Sequence, residues 1–236
     1  MSVLFVTGSG TDIGKTYVTA LLVRQLVAEG RRVVALKPLV SGVPDWRDPA
    51  FVQSDTAILL AAQGLGLNAA TVEACSPWRF TAPLSPDMAA AREGRALQLD
   101  DIVDWTHAAI SHAPAGAVVV IEGVGGTMSP ISQDATGLDW LQAIGCPALL
   151  VAGSYLGAIS HALTTYAAMS AQGVACAGVV VNETMGSTVG LDETVAALQR
   201  FLPGQDVQPL RRGASTALHI VNALVAQGRR PSEVDG

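Results

Sequence analysis

Short apolar runs without polar alternation recur along the chain, each followed by a stretch whose apolar residues return every three or four positions. Val3–Thr7 (VLFVT), Arg32–Leu36, Ala117–Ile121 (AVVVI), Pro147–Ala152 (PALLVA) and Ala177–Val181 (AGVVV) have strand length. Runs that stay apolar on successive residues predict strands covered on both faces, as in a parallel sheet. Helical spacing marks Thr16–Glu29, closed by Gly30, and then Leu99–Ser111, Leu138–Ile144, Ala158–Gln172, Asp192–Phe201 and Thr216–Ala226. Alternating strands and helices predict an α/β fold, a doubly wound, mainly parallel sheet flanked by helices. Residues 42–86 break the pattern. They are rich in Pro and Asp and are expected to be irregular apart from a short helix at Thr56–Gln63. No linker or repeat interrupts the chain, so one domain is expected over residues 1–228, with a disordered tail at 229–236.

Composition narrows the class. Half of the 236 residues are hydrophobic and 14 % are charged, enough for one substantial core. A formal net charge of -6 without Lys/Arg runs argues against nonspecific nucleic-acid binding. No apolar stretch reaches the ~18 residues of a membrane span. The N-terminus lacks a basic n-region and reads as a first strand, not a signal peptide. Cys75, Cys146 and Cys176 are far apart, odd in number and form no CxxC pair. They suggest neither a zinc site nor a disulfide framework. A cytoplasmic enzyme with inert buried thiols is the expectation.

The candidate chemistry begins at residues 8–16, GSGTDIGKT, between the first strand and the first helix. The stretch is taken as a phosphate-binding loop of the form G-x-x-x-x-G-K-[ST]. Gly8 and Gly14 let the backbone curl so that N–H groups converge on one anion. Lys15 would place a cation on the β/γ-phosphates, and the Thr16 hydroxyl would ligate Mg²⁺. The helix that follows points its N-terminus at the same anion. Such a loop implies a nucleotide. What the γ-phosphate is used for must come from other residues.

Apart from Asp55, those residues also follow strands. Lys37, in KPLVSG, ends the second strand at the ligand-facing edge of such sheets, where it would neutralise a transferring phosphoryl group or be a solvated lysine. Glu122, in EGVGG, follows AVVVI, where an acid holds Mg²⁺; the alternative is a tight turn with a surface glutamate. Asp55 is either a second ligand or a helix cap. Ser154-Tyr155-Leu156-Gly157 opens a helix whose free N–H groups suit a carboxylate. Asn182 is an amide able to meet a base edge or to cap a turn. His161 is left without a role, and the four tryptophans suggest only packing.

Together these residues resemble one family, dethiobiotin synthetase, over nearly the whole chain. The resemblance rests on GSGTDIGKT, KPLVSG, Ser54-Asp55, SPWRFTAPLSP at 76–86, EGVGG with SPI at 129–131, GSYLGAISH at 153–161 and VVVN at 179–182. It implies an ATP- and Mg²⁺-dependent cyclo-ligase of biotin synthesis that acts on 7,8-diaminononanoate and carbon dioxide. One amine forms a carbamate, ATP converts it to a carbamic-phosphoric anhydride, and the second amine closes the ureido ring, releasing ADP and phosphate. By resemblance, Lys37 and Lys15 are catalytic together with Thr11. Thr16, Asp55 and Glu122 hold the metal. ATP is bound by Asp12, Ile13, Gly14, Lys15, Thr16, Tyr17, Asp55, Glu122, Gly123, Val124, Gly125, Asn182, Glu183, Pro209, Leu210 and Arg211. Substrate is bound by Thr11, Lys37 and Ser41, and by Ser154, Tyr155, Leu156 and Gly157 from the neighbour in a homodimer. The chain departs from the family pattern at Ser9, Gly10 and Ile13 in the loop, at Asp12 (shorter than the usual glutamate), and at Asp87 and Ser160.

Two competing readings remain at this level: a dimerising ATPase switch and a non-catalytic ATP-binding regulator. The switch family carries an extra lysine early in the loop, and Thr7-Gly8-Ser9-Gly10 has none. A GTPase would carry N-K-x-D where this chain has Asn182-Glu183-Thr184. An amidating synthetase would need an additional glutaminase domain, for which the chain has no room. Retention of Lys37, Asp55 and Glu122 together favours catalysis.

Overall fold

The computed structural model describes residues 2–213 and 218–228. In chain order the first half comprises β1 (Ser2–Gly8), α1 (Lys15–Ala28), β2 (Val33–Leu36), β3 (Leu39–Ser41), a 3-10 helix at Pro49–Gln53, α2 (Asp55–Ala62), α3 (Ala69–Cys75), β4 (Trp78–Phe80), α4 (Pro86–Arg92) and α5 (Leu99–His112). The second half comprises β5 (Val118–Glu122), α6 (Gly137–Ile144), β6 (Ala148–Gly153), α7 (Ala158–Ala171), β7 (Cys176–Asn182), α8 (Leu191–Phe201), β8 (Val207–Leu210) and α9 (His219–Gly228).

Six strands form one sheet in the order β2-β5-β1-β6-β7-β8, and every pairing is parallel. The unbroken apolar runs are explained by burial on both faces. Phe5, Val119, Ile121, Leu150 and Val181 face one core with Trp140 and Leu141. Leu4, Val6, Val118, Val120, Val151 and Val180 face the other with Leu22 and Leu26 of α1. Successive strand residues point to opposite faces, so a double-sided core needs apolar side chains at every position. Trp140 anchors the first core. Its ring meets Phe5 edge-on at 4.8 Å, and its Nε1 donates to Thr106 Oγ1 at 3.2 Å.

The segment 42–86 is more ordered than expected. β3 and β4 pair in parallel as a separate two-stranded sheet, and α3 lies between α2 and β4. Val40, Phe51, Leu60 and Val72 give it a small core of its own. Strands of three residues carry too little pattern to be read. The start of α3 is marked, however, by Asn68, whose Oδ1 accepts from the N–H groups of Ala70 and Thr71. β8 also lacked a readable pattern because Pro209 interrupts it. A proline is accommodated there because β8 is an edge strand with a neighbour on one side only. The last helix is described over His219–Gly228; Thr216, where it was expected to begin, lies outside the described residues, as does the tail at 229–236.

The strand order sets up the site. β1 lies between β5 and β6, the point where the sheet's connections diverge to either side. Ligands of open parallel sheets bind at such a point, beyond the carboxyl ends of the strands. The registers Leu36↔Ile121, Val6↔Glu122, Gly8↔Val151 and Gly153↔Asn182 bring those ends level.

Candidate active site

At that edge lies a cleft of about 630 Å³. Thr11, Asp12, Gly14, Lys15 and Thr16 of the loop line one part of it, and Lys37, Asp55, Val124, Gly125 and Ser129 another. Val40, Ser41 and the Pro83–Pro86 turn complete it.

The loop between β1 and α1 is one residue longer than the form expected for it. Five residues, not four, separate Gly8 from Gly14, and Ser9 stands at the position where the pattern asks for glycine. Gly14, with φ 90, requires glycine, and a Cβ on Gly8 would press on the Ile13 side chain, 2.7 Å from its Cδ1. Asp12, at φ 56, is the one non-glycine residue among those described with left-handed backbone, a conformation that aspartate tolerates better than most residues. Asn182 Nδ2 donates to the Ile13 carbonyl at 2.9 Å, so this amide holds the loop itself. Ile13 is buried under the loop, and Tyr17 packs against the core from the first turn of α1.

Lys15 Nζ donates to Gly10 O at 2.9 Å. Burial, and then the charge of nearby Lys37, push its pKa down to about 8. Lys37 leaves the end of β2 and is fully enclosed. Its Nζ lies 2.6 Å from Glu122 Oε1, 3.1 Å from Asp55 Oδ2 and 2.8 Å from the Gly123 carbonyl. Burial alone would lower its pKa, but the attraction of Glu122 and Asp55 prevails and holds it above the ordinary lysine value. Burial likewise works to raise Asp55, but Lys37 and the Thr16 hydroxyl hold its carboxyl below the ordinary aspartate range. Thr16 donates to Glu122 Oε1 at 2.7 Å. The capping of α2, one of the two roles considered for Asp55, belongs instead to Ser54, whose Oγ accepts from Ala57 N.

Thr16, Asp55 and Glu122 therefore meet around Lys37. Glu122 Oε2 is buried and has no hydrogen-bond partner. A carboxylate oxygen in that state suits a cation ligand, and two carboxylates with one hydroxyl suit Mg²⁺, which takes its remaining oxygens from phosphates and water. Among the described residues no group of three His, Cys, Asp or Glu side chains could hold a metal without such help.

Gly123 and Gly125 are needed for shape: a Cβ on Gly123 would lie 2.9 Å from Phe5 Cε1, and Gly125 has φ 61 with Ser129 against it. Ser41 Oγ donates to Leu84 O at 2.6 Å at the far side of the cleft. Ser154, Tyr155, Leu156 and Gly157 do not line the cleft of their own chain. Ser154 exchanges hydrogen bonds with Thr184, Tyr155 Oη lies 2.9 Å from His161 Nδ1, and Leu156 is 89 % exposed.

The base-side residues diverge. Glu183 N donates to Leu210 O, and its carboxylate accepts from Arg212 N. Pro209 is exposed on β8, whereas the Leu210 side chain is buried in the second core and cannot face a ligand. Arg211 donates to both oxygens of Asp192 at 2.9 and 2.7 Å and does not line the cleft. Asp87 opens α4, with one carboxyl oxygen buried and unpartnered. Ser129, Pro83 and Leu84 were not picked out from the sequence as site residues, though each lies in a stretch that carried the family resemblance. Thr127 was missed altogether; its role depends on a contact with Gly8, 119 positions away.

The family described as an AAA domain matches residues 2–210 of the chain. An ATP-dependent dethiobiotin synthetase of Methylobacterium nodulans is 57 % identical over 200 residues, covering 85 % of this chain and 89 % of that one. Another, of Phenylobacterium zucineum, is 39 % identical over 232 residues, 97 % of each chain. Among solved structures, a ParA family ATPase from Chlorobium tepidum shares the fold with a TM-score of 0.52 at 13 % identity, covering 96 % of this chain and 90 % of that one. With a cleft lined by a phosphate loop, two buried lysines and Asp55, a second carboxylate buried behind Lys37, and relatives of this identity over nearly its full length, the chain belongs to the ATP-dependent dethiobiotin synthetase family.

Proposed function

We infer that the protein forms the ureido ring of dethiobiotin from 7,8-diaminononanoate, carbon dioxide and ATP. The observation that carries this is the convergence of Lys15, Lys37 and Asp55 on the cleft of the phosphate loop, with Glu122 buried behind it on Lys37 and Thr16. A carbamate and ATP are both anions. Bringing them together requires concentrated positive charge and N–H donors, preorganised and shielded from water.

One diamine nitrogen adds to carbon dioxide and loses a proton, giving the carbamate. A carbamate oxygen attacks the γ-phosphorus, and the bond to the ADP oxygen breaks. The second amine attacks the carbonyl of the mixed anhydride, phosphate leaves, and the amine proton is lost as the ring closes. Lys15 and the loop amides hold the polyphosphate. Lys37, at the floor of the cleft, stands where carbamate and γ-phosphate would meet and stabilises the charge that develops between them. Thr11 and Ser41 orient the diamine. Thr16, Asp55 and Glu122 would hold Mg²⁺, which when bound supplies neutralising charge to the β- and γ-phosphates. Asn182 keeps its oxygen available to a base while its nitrogen secures the loop.

A homodimer is part of the same reading. The start of α7 carries a nearly bare Leu156, with Ile159, Leu163 and Tyr166 only partly covered by their own chain. A second subunit packed there would bring the helix N–H groups at Ser154–Gly157 to the substrate carboxylate of its neighbour.

The test is ADP release with ATP, Mg²⁺ and bicarbonate, with and without the diamine, alongside mass detection of dethiobiotin. The expected result is diamine-dependent ADP with equimolar dethiobiotin. Diamine-independent hydrolysis, or none, would overturn the assignment and favour a switch or a regulator.

A further inference from the structure

Three carbonyl oxygens of the phosphate loop are each held by a side chain. Lys15 holds Gly10 O, Asn182 holds Ile13 O, and Thr127 holds Gly8 O. The third reaches the loop from outside the cleft lining. Thr127 follows the EGVGG turn after β5, and its N–H and Oγ1 both donate to Gly8 O, at 2.9 and 3.0 Å. Thr127 Oγ1 also lies 2.7 Å from Thr7 Oγ1. A hydroxyl carries one proton, and that of Thr127 is committed to Gly8, so Thr7 donates to Thr127. Both threonines are shut away from solvent, at 4 % and 3 % exposure.

The first peptide of the loop is thereby gripped from two sides. Its carbonyl, on Gly8, is bound to Thr127, and its N–H, on Ser9, donates to Val151 O of β6 at 2.9 Å. The two groups of a trans peptide point opposite ways, so these bonds fix the orientation of the plane. The neighbouring backbones are in contact as well. A Cβ on Gly126 would lie 3.3 Å from Gly10 Cα, and one on Gly137 would lie 2.9 Å from Thr127 O. The start of α6 thus backs Thr127, which in turn backs the loop.

We propose that Thr127 is a positioning residue for nucleotide binding, tying the entry of the phosphate loop to the Glu122–Gly126 turn so that the loop amides and the carboxylate keep one geometry. The proposal rests on the phosphate-loop reading alone and not on the identity of the acceptor. A packing role would act on stability, whereas a positioning role acts on nucleotide affinity, and the two can be separated. Thr127→Val removes the hydroxyl but leaves Thr7 unpartnered. Thr7→Val with Thr127→Val removes both hydroxyls and leaves none unsatisfied, which is close to neutral for folding.

The experiment is titration of wild type, Thr127→Ser, Thr127→Val and the double variant with Mg²⁺ and a non-hydrolysable ATP analogue, with melting temperatures measured in parallel. Thr127→Val and the double variant are expected to bind the analogue about five- to tenfold more weakly, the size of one lost hydrogen bond. Thr127→Ser restores wild-type affinity, and the double variant melts with the wild type. Wild-type affinity in the double variant overturns the proposal even if Thr127→Val fails to fold. Failure of serine to rescue overturns it too. A wild-type protein that binds no analogue overturns the phosphate-loop reading beneath it. One that binds the analogue but makes no dethiobiotin leaves this proposal standing and removes only the assigned reaction.

Discussion

Replacing Lys37 with methionine tests the centre of the site in a way that separates folding from catalysis. Lys37 and Glu122 are both enclosed, and the Nζ–Oε1 distance is 2.6 Å. Removing the cation leaves an interior carboxylate that has lost its directly bonded counter-charge, with Lys15 the remaining cation acting on it. Breaking such a pair from one side costs about 3–5 kcal/mol. Asp55, with a side chain 37 % exposed, can be rehydrated and adds little to that figure. A domain of this size has about 5–15 kcal/mol in hand, so the variant should remain folded. Lys37→Met combined with Glu122→Gln removes both charges and is expected to recover most of the loss. Urea unfolding in the presence of a chelator measures both. The pH dependence follows from the directions of the shifts. Lys37, raised above 10.5, contributes stability that is full below that pH and is lost as pH climbs through its folded value. Asp55, lowered below 3.8, contributes stability present above that pH and lost as pH falls through its folded value. The deficit of Lys37→Met should therefore be flat across neutral pH and shrink at both extremes. Turnover should fall on the order of 10³-fold in the same variant, the loss expected for a preorganised charge that acts on the transition state. A deficit within about 1 kcal/mol of wild type, or a double variant no more stable than the single, would refute the buried-pair reasoning.

Lys15, lowered to about 8 by burial and by Lys37, loses its proton in the folded protein while the unfolded chain keeps it up to 10.5, so the unliganded protein should gain stability from this group as pH rises through that interval. A polyphosphate favours the charged form, so nucleotide binding near pH 8 should take up about half a proton, read by calorimetry in buffers of different ionisation enthalpy; no uptake, or the same uptake in Lys15→Met, would refute it. Gly14→Ala should weaken nucleotide binding by tenfold or more, since its φ of 90 costs about 1–3 kcal/mol for a residue with a side chain and the added methyl meets Asn182; unchanged affinity in a direct titration would contradict the loop geometry. Burial pushes all three thiols up, Cys146 to about 11, so at pH 8 Cys146 should react with a thiol reagent about 100-fold more slowly than a free cysteine does, and rapid labelling of Cys146 in the native protein would refute its burial.

Much of this could be read from local sequence. β1, β5, β6 and β7 were legible because a strand buried on both faces is apolar at successive residues and these runs alternate with helical segments; residues 57–62 are as continuously apolar and yet helical, so the run alone does not decide. β3 and β4 were not, because three residues carry no period. β8 was not, because Pro209 is tolerated only by its edge position, which is a property of the sheet. Within the site, the glycines, Lys15 and Thr16 were legible as a contiguous motif, although the loop proved one residue longer than the pattern. Asp55 was ambiguous between cap and ligand, and the resemblance favoured ligand. In the structure Ser54 caps the helix and the Asp55 carboxylate lies on Lys37. Leu210 and Arg211 lie at plausible sequence positions, but one side chain turns into the core and the other out to Asp192.

The sequence by itself determined which chemical groups stand at strand ends, because the phosphate loop, Lys37 and Glu122 each follow an apolar run of strand length, whereas Asp55 opens a helix. The tertiary structure alone decided which ends become neighbours. The order β2-β5-β1-β6-β7-β8 inserts the Glu122 strand between those of Lys37 and the phosphate loop, and so closes contacts between residues 85, 106 and 119 positions apart. No local preference encodes that order. It is set by which arrangement of strands and crossing helices covers both faces of the sheet at once, and that quantity exists only when the whole chain is folded.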